Sequence, residues 1–181
     1  MTDAQDFRRT MSLFTSGVAV IAVGVAEGVH AMTANAVSSV SLDPSLVLFC
    51  PARKSQLATL LHHGQRFTIN FLRRDQEALA SYFAGAWKET HAPAFRFVPS
   101  GGAPRLEGSL ASLDCEVSEI VEGGDHWIVI GAVRALHRGI EPHRPLLFFK
   151  GQFQSLGTEA GTPAPDLGFV RDEPACVFYD G

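Results

Sequence analysis

The sequence predicts a mainly β protein, built as an antiparallel barrel with three short helices. Six or seven short segments are rich in β-branched and apolar residues, whereas only three short segments have helical spacing. The strands do not alternate with long helices, which argues against a doubly wound parallel sheet. The Gly-x-Gly-x-x-Gly pattern with which such sheets bind dinucleotides is also absent.

The segment Val18 to Val25 carries the strongest strand signal. It is apolar throughout and mostly β-branched, which is typical of a strand buried on both faces or closed into a barrel. A turn at Ala26 to Gly28 then returns the chain, so this part is predicted to be a hairpin. The other predicted strands are Val29 to Thr33, Leu46 to Cys50, Phe67 to Leu72, Leu113 to Ile120, Trp127 to Val133 and Leu146 to Phe149.

Three short helices are predicted, at Asp3 to Phe14, Ser55 to His62 and Gln76 to Phe83. In the first, Phe7, Met11 and Phe14 recur at spacings of four and three, which places them on one helix face. Polar residues stand at the start of the other two. Ser55 and Asp75 are therefore the expected N-caps.

Length and composition predict one domain at residues 1–156, followed by a tail rich in proline and glycine at residues 157–181. The tail ends in an apolar patch, Ala175 to Tyr179, which is expected to dock, for example on another subunit. The segment Ala84 to Pro104 has no periodicity and is predicted to be a long loop. Loops of that length are more often functional than idle.

Charge and composition argue against several classes of protein. The formal net charge is −4 with 15 Lys and Arg residues, whereas nucleic-acid binding needs a basic stripe. The longest apolar run has about eight residues, far short of the ~20 that span a bilayer, and the acidic N-terminus argues against secretion. Three cysteines without metal-like spacing indicate free thiols in a reducing cytoplasm rather than a zinc site.

The segment from His30 to Pro44 is unusually polar for its place between two apolar segments. Its small side chains let a ligand approach the backbone, and their hydroxyl and amide groups donate hydrogen bonds without the desolvation penalty of a buried charge. This predicts a turn that contacts a ligand. On composition alone, an ordinary turn whose Ser, Thr and Asn bond their own backbone is the commoner explanation.

Several motifs favour the ligand-binding alternative. They are, in order, Thr15-Ser16-Gly17-Val18, Thr33-Ala34-Asn35, Ser39-Val40-Ser41-Leu42-Asp43-Pro44, Phe67 to Leu72, Gly124-Asp125-His126 and Pro145 to Phe149. Together they resemble the flavin reductase family, whose fold is the FMN-binding split barrel. The resemblance covers roughly residues 7 to 156. The chain departs from the family at Lys54-Ser55-Gln56-Leu57, where a run of Ser and Thr is usual.

The resemblance implies where cofactors bind. The residues expected at the isoalloxazine or ribityl of FMN or FAD are Thr33, Ala34, Asn35, Ser38 and Ser39. Those expected at the phosphate are Lys54, Ser55 and Gln56, where a helix N-terminus adds N–H donors. His126 is expected to meet the nicotinamide of NADH or NADPH, with Asp125 to orient it. Without the family match, a histidine in a turn is more often structural or solvated.

Four further residues are weaker candidates. Arg53 and Lys150 carry cations that suit a second phosphate. Trp87 and Lys88, in the long loop, are placed to cover the flavin or to contact the adenine of FAD, although loop aromatics are as often packed as functional. No metal site is expected among the histidines, because none has the spacing of a ligand set.

The function that follows from the resemblance is an NAD(P)H-dependent flavin reductase, a cytoplasmic homodimer that supplies reduced flavin to a flavin-dependent monooxygenase. Such a reaction needs positioning more than acid–base groups, because the cofactors carry the reactivity. Two alternatives stay open: a non-catalytic flavin- or haem-binding split barrel, and a flavoprotein that reduces another acceptor. A pyridoxamine-phosphate oxidase is disfavoured because its Arg/Lys clusters are not seen, and a hydrolase because Gly-x-Ser-x-Gly is absent.

Overall fold

A computed structural model describes residues 2–140 and 144–157 of the chain. The helices are α1 (Ala4–Met11), α2 (Gln56–Leu60) and α3 (Glu77–Phe83), with a 3-10 turn at Arg74–Gln76 directly before α3. The strands are β1 (Ser16–Gly17), β2 (Ala19–Val25), β3 (Gly28–Ala34), β4 (Val37–Leu42), β5 (Ser45–Phe49), β6 (Arg66–Phe71), β7 (Phe97–Ser100), β8 (Ala103–Leu106), β9 (Ala111–Gly123), β10 (His126–Arg138), β11 (Leu147–Phe149) and β12 (Gln152–Gln154).

Seven of these strands form one antiparallel sheet in the order β3-β2-β6-β9-β10-β5-β4. β3 and β4 are the two edges of this sheet, yet they follow one another in the chain and only Asn35 and Ala36 connect them. Three Cα–Cα steps span at most ~11 Å. The edges must therefore approach each other, which the sheet achieves by curling into a barrel that is open along the seam between β3 and β4. The predicted antiparallel split barrel with three short helices is confirmed.

β2 is buried on both faces from Ala19 to Val23, as its composition predicted, whereas Gly24 and Val25 are exposed. Ile21 points into the barrel and packs in the cluster that contains Phe67. Val20 lies on the outer face, in a second cluster with Leu79 of α3. Gly131 on β10 makes room for the Phe67 ring, because a Cβ at that position would stand 2.5 Å from Cζ of the ring. β2 thus joins two apolar cores.

The helix caps confirm one prediction and correct another. Ser55 caps α2, since its Oγ accepts a hydrogen bond from the Ala58 amide at 3.3 Å. Asp75 was predicted to cap the next helix, and this is wrong. Its carboxylate instead accepts two bonds from the Arg73 guanidinium, at 2.6 and 3.0 Å, because a bidentate ion pair is stronger than a bond to a backbone amide. The Gln76 Oε1 accepts from the Arg73 amide at 2.9 Å, a bond that caps the 3-10 turn before α3.

Two segments that were predicted as turn or loop contain strands. β4 lies within the polar segment from His30 to Pro44 and pairs with β5. β7 and β8 form a hairpin that starts within the predicted loop from Ala84 to Pro104. The composition of β4 does not predict a strand, because an edge strand with an exposed face needs few apolar residues. α1 is also shorter than predicted, since it ends at Met11.

The predicted hairpin near the C-terminal half of the domain is confirmed and is longer than predicted. β9 and β10 have 13 residues each. They turn at Gly124 and Asp125, where Gly124 has a φ of +72°, a conformation that favours glycine. β6 pairs only with the Ala111 to Glu116 part of β9, so the tip of the hairpin extends beyond β6. Residues 158–181, with the apolar patch from Ala175 to Tyr179, lie outside the described residues.

Candidate functional site

A cavity of about 510 Å³ opens at one end of the barrel. Its apolar walls include Val37, Phe71 and Leu113, which also pack against the barrel core. Leu42 and Leu136 line it too and are 50% and 63% exposed, so they form its solvent-facing part. The volume lies within the roughly 300–1,000 Å³ of ligand pockets. The cavity is apolar enough to accept one face of an aromatic ring system.

One wall of this cavity is polar and is formed by the seam of the barrel. Asn35, Ser38 and Ser39 all line it, so the structure brings these three predicted residues together. Ser38 Oγ donates to the Ser39 carbonyl at 3.1 Å, whereas the Asn35 amide and the Ser39 hydroxyl have no partner within residues 2–140 and 144–157. A bulge between Ser39 and Ser41 interrupts the pairing of β4 with β5, so residues on both sides of it reach the cavity.

Thr33 and Ala34 lie at the end of β3 and do not line this cavity. The Thr33 hydroxyl donates to the Ala80 carbonyl of α3 at 2.7 Å. Ala34 is 8% exposed and packs in the barrel core. Both residues thus hold in place the strand that ends next to Asn35. Their contact with a cofactor stays a prediction.

The predicted phosphate segment meets the predicted nicotinamide hairpin. The Trp127 amide donates to the Pro51 carbonyl, and the Arg53 amide donates to the Asp125 carbonyl, both at 3.0 Å. An antiparallel bridge between Ala52 and His126 lies between these two bonds. Two parts of the chain that are about 70 residues apart are therefore joined as a short sheet extension.

Lys54, Ser55 and Gln56 follow directly on that extension. Lys54 and Gln56 are exposed, and the Lys54 ammonium has no partner in the described part of the chain. Ser55 is committed to capping α2. The chain just before this segment is bonded to the barrel seam, since the Cys50 amide donates to the Ala36 carbonyl at 3.1 Å. Lys54 is the cation of this segment that is free to meet a phosphate.

His126 stands at the start of β10, with its side chain 46% exposed. Its Nδ1 lies 2.8 Å from Asp125 Oδ1, and this contact holds the pKa of the Asp125 carboxyl below its ordinary value. With Nδ1 engaged, Nε2 is the ring nitrogen that has no partner among the described residues. Val129, three residues or about 10 Å further along β10, pairs with Phe49, which in turn pairs with the cavity residue Val37. His126 therefore lies beyond the cavity, on the side of Lys54.

Arg53 is the residue whose role the sequence reasoning missed. Its guanidinium donates to the Gly124 carbonyl and to Glu122, and it stacks on the Trp127 ring. The sequence offers little to find this arrangement, because a Pro-Ala-Arg-Lys run only shows two neighbouring cations. The Trp87 indole is likewise engaged locally, donating to the His91 carbonyl at 2.9 Å.

Among the described residues, no cluster of three or more His, Cys, Asp or Glu is placed to hold a metal ion. No helix among them is long and apolar enough to cross a membrane. Cys50 and Cys115 are free, and burial raises the pKa of the Cys115 thiol to about 12, so this thiol stays protonated and unreactive. Cys176 lies outside the described residues.

Comparison with known proteins shows the family of this chain. Residues 11–157 match the family described as "Flavin reductase like domain". The chain belongs to this family. An NADH-dependent flavin reductase from a Rhodococcus species is 39% identical over 153 residues, which cover 82% of this chain and 84% of that protein. The reductase component of 4-hydroxyphenylacetate 3-monooxygenase from Thermus thermophilus is 36% identical over 150 residues, covering 83% of this chain and 95% of that protein.

A solved structure supports the same assignment to this family of flavin reductases. The Streptomyces globisporus NADH:FAD oxidoreductase SgcE6, in complex with NAD and FAD fragments, has a TM-score of 0.76 and 31% identity with this chain. The superposition covers 89% of this chain and 99% of that one. The family resemblance that the motifs indicated is confirmed.

Proposed function

We propose that this protein is an NAD(P)H-dependent flavin reductase, which reduces FMN or FAD and supplies the reduced flavin to a partner flavin-dependent monooxygenase. The observation that carries the proposal is the cavity at the barrel seam, in a chain of the flavin reductase family. Its apolar walls suit the faces of an aromatic ring, and its polar wall offers the Asn35 amide and the Ser39 hydroxyl. The reductase names of the two relatives support the same reaction.

The residues present fit a flavin. Asn35 and Ser39 supply neutral hydrogen-bonding groups that are not engaged elsewhere in the described chain, which suits the polar edge of an isoalloxazine. Lys54 supplies one cation for a phosphate at the far side of the Pro51 to Arg53 segment. The phosphate site has fewer hydrogen-bonding groups than the ring site, because Leu57 is fully buried where a further hydroxyl is usual.

The protein's task in the reaction is to bind and orient. A bound flavin would accept a hydride at its ring from the reduced nicotinamide, so no side chain has to form a covalent bond. Asn35 and Ser39 would fix the ring against the apolar wall. His126 would hydrogen-bond the nicotinamide through Nε2, because Asp125 engages its Nδ1. Orientation of this kind lowers the barrier by fixing the reacting atoms close together.

The assembly and location belong to the same proposal. Phe7 and Met11 of α1 are 58% and 51% exposed, and Phe14, three residues after the helix, is 75% exposed. Because α1 buries none of its residues, this part of the chain offers an apolar face to a second copy in a homodimer. Leu42 and Leu136 expose further apolar surface at the cavity. The free thiols of Cys50 and Cys115 suit the reducing cytoplasm, where reduced nicotinamide is also available.

One assay tests the proposed function. The purified protein is given NADH or NADPH with FMN, with FAD, or with neither, and the loss of reduced nicotinamide is followed by absorbance. We expect oxidation that depends on added flavin, and a His126→Ala variant with a raised KM for the nicotinamide and a nearly unchanged flavin Kd. His63→Ala, at an exposed position, is the matched control. A bound flavin or haem spectrum without turnover would instead favour a non-catalytic carrier.

A further inference from the structure

The side chain of Arg53 makes three contacts, and all of them lie on the hairpin that carries His126. Nη1 donates to the Gly124 carbonyl at 3.4 Å, and Nη2 donates to Glu122 Oε1 at 3.3 Å. The guanidinium carbon lies 4.3 Å from the centroid of the Trp127 ring, a cation–π distance. The Arg53 guanidinium therefore contacts both strands of the hairpin next to its turn.

These contacts bracket His126 on both sides in the chain. Gly124 and Trp127 are held by the guanidinium, and Asp125, which engages the imidazole, is held by the Arg53 amide at 3.0 Å. Trp127 packs against the barrel core, whereas residues 121–125 at the tip are exposed, so the position of the turn depends on the few bonds that hold it. Arg53 ties the tip to the segment that leads into Lys54.

A phosphate ligand is the other role that a cation here suggests, and the geometry favours Lys54 for it. The Arg53 plane is stacked and two of its donors are engaged, whereas the Lys54 ammonium is exposed and has no partner within the described residues. A lysine in place of Arg53 would keep the charge, but it has neither the fork of donors nor the flat face. Charge and shape are therefore separable by substitution.

We infer that Arg53 is a positioning residue, whose guanidinium fixes the turn at Gly124 and Asp125 so that His126 faces the bound nicotinamide. Its consequence for turnover rests on the proposed function, whereas the clamp itself does not. The residue touches no reacting atom. It acts through the hairpin, by limiting where the imidazole can lie.

Amide hydrogen exchange tests the clamp without any turnover. In Arg53→Ala and in Arg53→Lys we expect the Trp127 amide, which donates to Pro51, to exchange about tenfold faster, with the amides of β2 unchanged. Glu122→Gln is the matched control, because it removes the ionic partner and leaves the Gly124 and Trp127 contacts. It should change the rate by about twofold or less. Wild-type exchange at Trp127 in both arginine variants would overturn the inference.

Kinetics then separate positioning from phosphate binding. In both arginine variants we expect the KM for NADH to rise about fivefold to tenfold with the flavin Kd within about twofold, and Arg74→Ala, at an exposed arginine, to match the wild type. The same loss should appear with 1-benzyl-1,4-dihydronicotinamide, a hydride donor without phosphate. A loss confined to NADH, or full rescue by lysine, would assign Arg53 to a phosphate and overturn the inference. A wild type that oxidises neither donor would contradict the proposed function, and exchange would still decide the clamp.

Discussion

The buried polar residues of β6 and the polar residues of the cavity at the barrel seam differ in where their hydrogen bonds go. Asn70 on β6 is fully buried, and its Nδ2 donates to the Val20 carbonyl at 3.0 Å and to Thr68 Oγ1 at 2.9 Å. Its Oδ1 accepts from the Leu106 amide at 2.9 Å. The Thr68 hydroxyl donates to the Pro104 carbonyl at 2.6 Å. This network fastens the β7–β8 hairpin to the barrel.

The cavity at the seam also has an asparagine and a hydroxyl side chain, but they lack such partners. Asn35 and Ser39 are exposed, line the cavity and have no hydrogen-bond partner among the described residues. A buried polar group without a partner is costly, whereas one that faces a cavity is free to bond a ligand. The contrast teaches that an accounting of partners, rather than residue type, separates a structural asparagine from a binding one in this fold.

The largest effect is expected for Asn70→Ala. It would leave the Leu106 amide and the Val20 carbonyl short of a partner in a water-free place, so we expect the free energy of unfolding to fall by about 3 kcal/mol. Urea denaturation measures this. Asn35→Ala is the control and should change stability by less than about 0.5 kcal/mol, because its side chain is exposed. Equal losses of stability in the two variants would contradict the distinction between the buried and the exposed asparagine.

For flavin affinity we expect the opposite order, with the larger effect in Asn35→Ala. Asn35→Ala should raise the Kd for FMN or FAD about tenfold, equivalent to about 1.4 kcal/mol, because one hydrogen bond to the ring is lost. Asn70→Ala, if still folded, should stay within about twofold of the wild type. Quenching of flavin fluorescence measures both. An unchanged Kd in Asn35→Ala would contradict the placement of flavin at the seam.

The same contrast explains how much of the fold the sequence predicts. Val18 to Val23 is buried on both faces, so apolar composition alone identifies this part of the chain as a strand. β4 escapes detection, because a serine-rich edge strand has the composition of a turn. Asp75 looks like an N-cap, but whether it caps depends on the neighbouring Arg73, with which it pairs instead. Local signals thus succeed where burial decides the structure, and they fail where a polar side chain chooses among partners.

The site divides along the same line. Asn35, Ser38 and Ser39 come together at the cavity because they lie in or just after the two-residue connection at the seam, so adjacency in the chain becomes adjacency in space. The role of Arg53 was not predictable, because Gly124 and Trp127 lie about 70 residues away and only the fold brings them near. Sequence motifs identify the residues of one segment, while tertiary pairing decides how two segments meet.

Thr33 is a residue that sharpens the comparison, because it lies between the two classes. Its hydroxyl donates to the Ala80 carbonyl at 2.7 Å, which is a structural use, although the family resemblance predicts that it contacts the flavin. We expect Thr33→Val to lower the free energy of unfolding by about 1 kcal/mol, since the carbonyl loses its donor while the shape is kept. Denaturation and flavin titration of the same variant separate the roles. A Kd that rises as far as in Asn35→Ala would assign the hydroxyl to the cofactor.

The smallest effect concerns the exposed pair of Asp125 and His126. The hydrogen bond from the imidazole holds the pKa of Asp125 below its ordinary value of 3.8, because it stabilises the carboxylate. The contact therefore contributes fully above that ordinary value and is lost as the pH falls through the lowered one. In His126→Ala the donor is absent, so Asp125 should titrate at a higher pH, while His63→Ala leaves it unchanged. Carbon NMR of the carboxyl follows this. An identical midpoint in both variants would mean that the pair does not form in solution, and that Nδ1 of His126 is as free as Nε2 to meet a ligand.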